Sequence, residues 1–154
     1  MDKERVLFLC TGNTARSIMG EAILRQLAGD RYEAHSAGLN PSEVRPETIA
    51  VLQEAGYDVS GLASKPVDDY LGHMFIHYLI TVCDHAERNC PRIWPQGGQR
   101  IFWPVDDPAL VEGSETERLA AFRFTRDDMR TRIDGWLAET DAEADPGADS
   151  STAD

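Results

Sequence analysis

An apolar run, Val6-Leu7-Phe8-Leu9, passes directly into Cys10-Thr11-Gly12-Asn13-Thr14-Ala15-Arg16-Ser17, and a helical pattern begins where that stretch ends. Four consecutive apolar residues suit a strand buried on both faces. A Cys six positions before an Arg, with small residues between, can close into one loop whose successive N–H groups point inward and form a concave anion site. The helix that follows adds its positive N-terminal end. Arg16 brings a planar fork that suits a tetrahedral oxyanion. In that field the Cys10 thiol favours its thiolate form and becomes a nucleophile. Gly12 gives the loop freedom to curve, the Asn13 side chain can tie it to itself, and the Ser17 hydroxyl can donate to the sulfur.

Further along, strand and helix patterns alternate. A helix is expected from about Ser17 to Ala28, stopped by Gly29-Asp30, then a weaker strand from Tyr32 to Ala37. Pro46 to Ala55 reads as a second helix with Pro46 in its first turn. Phe75 to Val82 reads as a buried strand ending at Cys83, and Arg100 to Trp103 as a short fourth one. Glu115 to Leu137 is a long helix with an apolar stripe at Leu119, Phe122, Met129, Ile133, Trp136 and Leu137. The expected fold is α/β: a small parallel four-stranded sheet with helices on both faces. In such sheets ligands bind beyond the carboxyl ends of the strands. Cys10, Cys83 and the Asp106-Asp107 loop all follow strands, so three segments distant in sequence can meet at one edge.

The net charge of -12 is unevenly spread. Ala138 to Asp154 holds six acidic residues and no basic one. Residues 1–138 are expected to form one domain and 139–154 an acidic, disordered tail. This acidity argues against nucleic acid as a partner, because phosphate contacts need clustered Lys and Arg. No signal pattern or membrane-length apolar stretch is visible, so a cytoplasmic, monomeric protein without membrane association is the default expectation. Three Cys in a reducing compartment point to chemistry rather than to a permanent disulfide.

The second and third thiols, Cys83 and Cys90, stand seven positions apart in a polar stretch. In a helix that spacing is about 10.5 Å of rise, beyond the reach of a disulfide. Closing the bond would unwind such a helix, so the spacing permits a redox-driven switch. Asp107, before Pro108, is a candidate general acid; Asp106 fits as well on spacing alone. His73 and His77 would share a face near Cys83 if their segment were helical, but Phe75 to Val82 reads as a strand and the cysteines lack close-pair spacing, so no metal site is expected. Trp94 and Trp103 are expected to pack against the site or rim it.

Phe8-Leu9-Cys10-Thr11-Gly12-Asn13 with Arg16-Ser17 resembles the low-molecular-weight tyrosine phosphatase superfamily. Cys83-x6-Cys90-Pro91, with Trp103 and Asp106-Asp107-Pro108-Ala109, resembles its branch of thioredoxin-coupled arsenate reductases, over about Val6 to Leu137. The resemblance implies the low-molecular-weight tyrosine-phosphatase-like fold and arsenate as the substrate. Thr11, Gly12, Asn13, Thr14, Ala15, Arg16 and Ser17 would bind it, Cys10 would attack arsenic, and Asp107 would help water leave. Cys83 and Cys90 would then carry the oxidation outward as successive disulfides to thioredoxin, with no tightly bound cofactor. Two departures from the branch stand out. Ala15 replaces a Cys found in many relatives. Some relatives also bind potassium through residues matching Asn13, Glu21 and Ser36 and an acidic residue near position 65; Lys65 stands there, so an ammonium in place of the ion is expected. The alternatives are a low-molecular-weight protein tyrosine phosphatase, which would need neither Cys83 nor Cys90, and a non-catalytic oxyanion or redox sensor.

Overall fold

The computed structural model of the chain describes residues 3–70, 73–83 and 98–144. Four strands, β1 (Glu4–Cys10), β2 (Tyr32–Gly38), β3 (Tyr78–Thr81) and β4 (Gln99–Phe102), form one parallel sheet in the order β2-β1-β3-β4. Three α-helices accompany them among the described residues: α1 (Arg16–Ala28), α2 (Pro46–Glu54) and α3 (Glu115–Ala144). This is the parallel four-stranded α/β architecture that the alternating pattern predicts.

The apolar run explains the centre of the sheet. Val6, Leu7, Phe8 and Leu9 are all fully buried, as a strand flanked by β2 and β3 and covered on both faces requires. Against it α1 buries Ile18, Met19, Ala22, Ile23 and Leu24. The approach is close: a Cβ at Gly20 would lie 2.5 Å from the Phe8 ring. α3 packs on α1 and α2, burying Phe122, Met129 and Ile133, the heart of its predicted stripe.

Some boundaries differ from the sequence expectation. β3 is the four residues Tyr78–Thr81 rather than Phe75 to Val82, because only these pair with Val6–Leu9. Phe75 is 45% exposed and lies edge-on to the His77 ring, 4.7 Å between centroids, so its apolar surface packs outside the sheet. His77 sits at the start of β3, where its Nδ1 accepts from the Arg5 N–H at 2.9 Å; this is the end of the sheet away from Cys83. α3 continues to Ala144, past the boundary expected at 138. Thr140 is buried on it, and Arg31 pairs with Asp141 in this added stretch. The remainder of the acidic tail, 145–154, lies outside the described residues, as do Cys90 and Trp94.

The strand order decides where a site forms. The chain leaves β1 to one side for β2, then returns to the other side for β3. The reversal opens a crevice beyond the carboxyl ends of β1 and β3. Cys10 ends β1, and Cys83 follows β3 by two residues.

Candidate oxyanion site at the β1–β3 switch point

The loop from Cys10 to Arg16 is held from outside by its carbonyls. The Cys10 carbonyl accepts from Leu39 N (3.1 Å), that of Thr11 from Asn40 N (2.8 Å), and that of Gly12 from Ser42 N (3.0 Å). The Asn13 carbonyl accepts from Ser64 Oγ (2.6 Å), and that of Thr14 from Arg45 N (3.1 Å) and Thr48 Oγ1 (2.9 Å). In a trans peptide the next residue's N–H points opposite to the carbonyl. Five carbonyls turned outward therefore turn the N–H groups of residues 11–15 to the inner side, an arrangement that can cradle an anion. Ala15, at the helix N-cap, offers no side-chain cap, and the first turn of α1 carries no acidic residue. The first N–H donors of the helix thus receive neither a side-chain cap from Ala15 nor an acidic partner in the first turn.

Inside the loop the Cys10 sulfur is surrounded by donors. Asn13 N lies 3.1 Å from Sγ and Ser17 Oγ 2.8 Å from it. Asn13 Nδ2 donates to Ser17 Oγ at 2.7 Å, which leaves the serine hydrogen free to point at the sulfur. The amide orientation is fixed because Asn13 Oδ1 accepts from Lys65 N at 2.8 Å. Asn13 is fully buried and has φ 52°, a left-handed conformation that Asn tolerates better than most residues.

Arg16 reaches across to the loop after β4. Its Nη1 donates to the Val105 carbonyl at 3.0 Å, and its Nη2 lies 3.6 Å from Asp107 Oδ2. The second Asp107 oxygen caps the short turn Pro108–Leu110 by accepting from Ala109 N at 2.9 Å. Asp106 is exposed. Of the two acids that spacing alone left open, the fold brings Asp107 to Arg16.

Cys83 is buried, and its Sγ lies 3.4 Å from Thr11 Oγ1, so the second thiol adjoins the wall of the loop. Neither Cys10 nor Cys83 is in a disulfide. Trp103 packs on the core and lies 6.3 Å from the Phe8 ring between centroids.

Beneath the loop lies a buried carboxylate. Glu21 accepts from Ser36 Oγ at 2.5 Å and pairs with Arg25, and Lys65 Nζ stands 3.5 Å from Glu21 Oε1. The same ammonium donates to the Ala63 carbonyl at 2.6 Å. Burial, then the charges of Glu21 and Asp69, push the Tyr70 phenol up to about 12. Ser64, Thr48, Val105 and the backbone of residues 39–45 also contact the loop or Arg16, and no sequence signal marks them. Ser64 and Thr48 are ordinary polar residues in a sequence, and a backbone donor leaves no trace in residue type.

With this fold and loop in view, the comparisons with known proteins are specific. The family described as low molecular weight phosphotyrosine protein phosphatase matches residues 5–145. The chain belongs to that family of enzymes. An arsenate reductase of Halalkalibacterium halodurans is 37% identical over 133 residues, covering 86% of this chain and 94% of the relative. A solved arsenate reductase in its phosphate-binding state superposes with a TM-score of 0.73 at 28% identity, over 88% of this chain and 98% of that one. A thioredoxin-dependent arsenate reductase of Corynebacterium glutamicum gives a TM-score of 0.61 at 28% identity, over 86% of this chain and 62% of that one.

Proposed function

We propose that this chain is an arsenate reductase working through three thiols in sequence, with thioredoxin as the final reductant. The observation that carries the reading is the placement of a second thiol, Cys83, against the wall of a loop that already surrounds Cys10 with donors. A phosphatase needs the loop but not that neighbour. The names of the relatives support arsenate as the substrate.

In this mechanism the inner N–H groups and Arg16 hold arsenate, and the Cys10 thiolate attacks arsenic. One arsenate oxygen leaves as water, taking a proton from Asp107. Arg16 and Asp107 are already adjacent, so acid and anion clamp close on the same substrate. The Cys83 thiolate then attacks the Cys10 sulfur. The sulfur–arsenic bond breaks, its electron pair goes to arsenic, and arsenite departs, leaving a Cys10–Cys83 disulfide. Cys90, by its spacing and the family resemblance, displaces Cys10 to give Cys83–Cys90, which a thioredoxin dithiol reduces. Arsenate gains two electrons, and two thiols become one disulfide.

The residues under the loop do not suit a potassium ion. The Lys65 ammonium already stands between the Glu21 carboxylate and the Ala63 carbonyl, so it supplies the positive charge there and no step uses a metal.

The test is arsenate-dependent NADPH oxidation with thioredoxin and thioredoxin reductase, comparing the full chain with Cys10→Ser, Cys83→Ser and Cys90→Ser. The expected outcome is turnover by the unaltered chain and failure of all three variants. Hydrolysis of phosphotyrosine analogues lost only in Cys10→Ser, with no arsenite formed, would establish the phosphatase reading instead. Disulfide formation without arsenite production would establish the sensor.

A further inference from the structure

The outward carbonyls of the loop differ in what holds them. Those of Cys10, Thr11, Gly12 and Thr14 accept from backbone N–H groups of Leu39, Asn40, Ser42 and Arg45, which no side-chain substitution removes. The Asn13 carbonyl accepts from a side chain, the Ser64 hydroxyl, at 2.6 Å. Asn13 is also the residue with the left-handed backbone, φ 52°. The peptide between Asn13 and Thr14 therefore combines a left-handed residue with a hydroxyl tether. Its N–H is that of Thr14, one of the inward donors.

We propose that Ser64 is a positioning residue of the oxyanion loop: its hydroxyl keeps the Asn13–Thr14 peptide turned so that the Thr14 N–H faces the bound anion. Lys65 assists from the next position, where its N–H fixes the Asn13 amide at 2.8 Å and its carbonyl accepts from Gly38 N at 2.8 Å. The segment carrying Ser64 is itself anchored, since Arg25 donates to the Ser60 carbonyl at 3.1 Å. Without the hydroxyl, the Asn13 carbonyl loses its tether at a part-buried position, and rotating this peptide to seek another partner withdraws the Thr14 N–H from the anion. Ser64 touches neither the sulfur nor the substrate; it acts through Asn13. The inference rests on the reading of this loop as an oxyanion site and holds whether the anion is arsenate or phosphate.

The test uses inorganic phosphate as the probe and reads the loop without arsenate turnover. Iodoacetamide alkylation of Cys10, followed by the mass of its peptide, is measured in the full chain at rising phosphate concentration. The concentration that halves the rate reports affinity. Ser64→Ala is expected to weaken phosphate protection about tenfold, the scale of one lost tether to a part-buried group. Ser64→Thr and Ser64→Val have nearly the same shape and differ in the hydroxyl, so Thr is expected to protect like Ser and Val like Ala. Equal protection in the Thr and Val variants would overturn the proposal, because the hydroxyl would then be irrelevant. Absence of phosphate protection in the unaltered chain would overturn it as well. If the unaltered chain is protected by phosphate but makes no arsenite, the arsenate reductase reading fails while the Ser64 result stands.

Discussion

Cys10 and Cys83 occupy the same topological position: each stands at the carboxyl end of one of two adjacent parallel strands, and each is buried. Their surroundings differ. Cys10 opens a loop whose carbonyls are tied outward and whose sulfur meets the Asn13 N–H and the Ser17 hydroxyl. The Cys83 sulfur meets the Thr11 hydroxyl at 3.4 Å, on the wall of its neighbour's loop. The strand end places a thiol at the crevice. The residues that follow the strand decide whether the sulfur sits inside a loop of donors or against the outside of one.

The largest expected effect separates the two thiols. Cys83→Ser should lower arsenate turnover by several orders of magnitude yet still bind phosphate in calorimetry, because the inner N–H groups and Arg16 are intact. Loss of phosphate binding in that variant would erase the distinction and make Cys83 part of the anion site. A medium effect should come from the support of the Cys10 loop. A Cβ at Gly38 would lie 2.7 Å from the Thr11 carbonyl oxygen and 3.0 Å from Asn13 Cβ. Gly38→Ala should therefore cost about 1–3 kcal/mol in denaturant unfolding, the usual range for overpacking. It should also weaken phosphate binding; an unchanged affinity would show the loop to be more compliant than its five outward-tied carbonyls suggest.

The smallest effect concerns the ground beneath the loop. Tyr70 keeps its proton up to about 12 in the folded chain, against 10.0 ordinarily, through burial first and the Glu21 and Asp69 charges next. A raised folded value means that its contribution to stability is complete below pH 10 and is lost as pH rises through 12. Unfolding midpoints measured from pH 9 to 12 should fall more steeply in the unaltered chain than in Tyr70→Phe. Equal slopes would detach Tyr70 from the Glu21 network and leave the Cys10 side of the comparison resting on the loop alone.

Much of this site was legible in the sequence because its parts are local. Cys10 to Ser17 lie in one strand–loop–helix unit, and the inward N–H groups follow from a short chain closing on itself. Spacing alone left the candidate acid as a pair, Asp106 or Asp107; the position before Pro108 and the family resemblance pointed to Asp107, the one that the fold sets beside Arg16. The sequence pattern extends the strand before Cys83 four residues beyond its paired length: Phe75 and Ile76 look like strand residues, yet Phe75 packs on His77 at the surface. α3 runs past the Leu137 end that its apolar stripe predicts, into a stretch where Asp141 pairs with Arg31 from a distant part of the chain. Its start carries a reciprocal cap, Ser114 N to Glu117 Oε1 at 3.3 Å and Glu117 N to Ser114 Oγ at 3.2 Å, which also settles where the helix begins.

By itself the sequence determined the parallel α/β pattern, the family, and the loop with its thiol and its arginine. These depend on periodicity and on contacts within a few residues, which the order of residue types specifies directly. The tertiary structure decided that Asp107 lies beside Arg16, and that the Ser64 hydroxyl and backbone N–H groups from residues 39–45 bond to the outward carbonyls of the loop. Those are hydrogen bonds and ion pairs between segments far apart in the chain, and no local pattern encodes a partner that only folding brings within 3 Å or so.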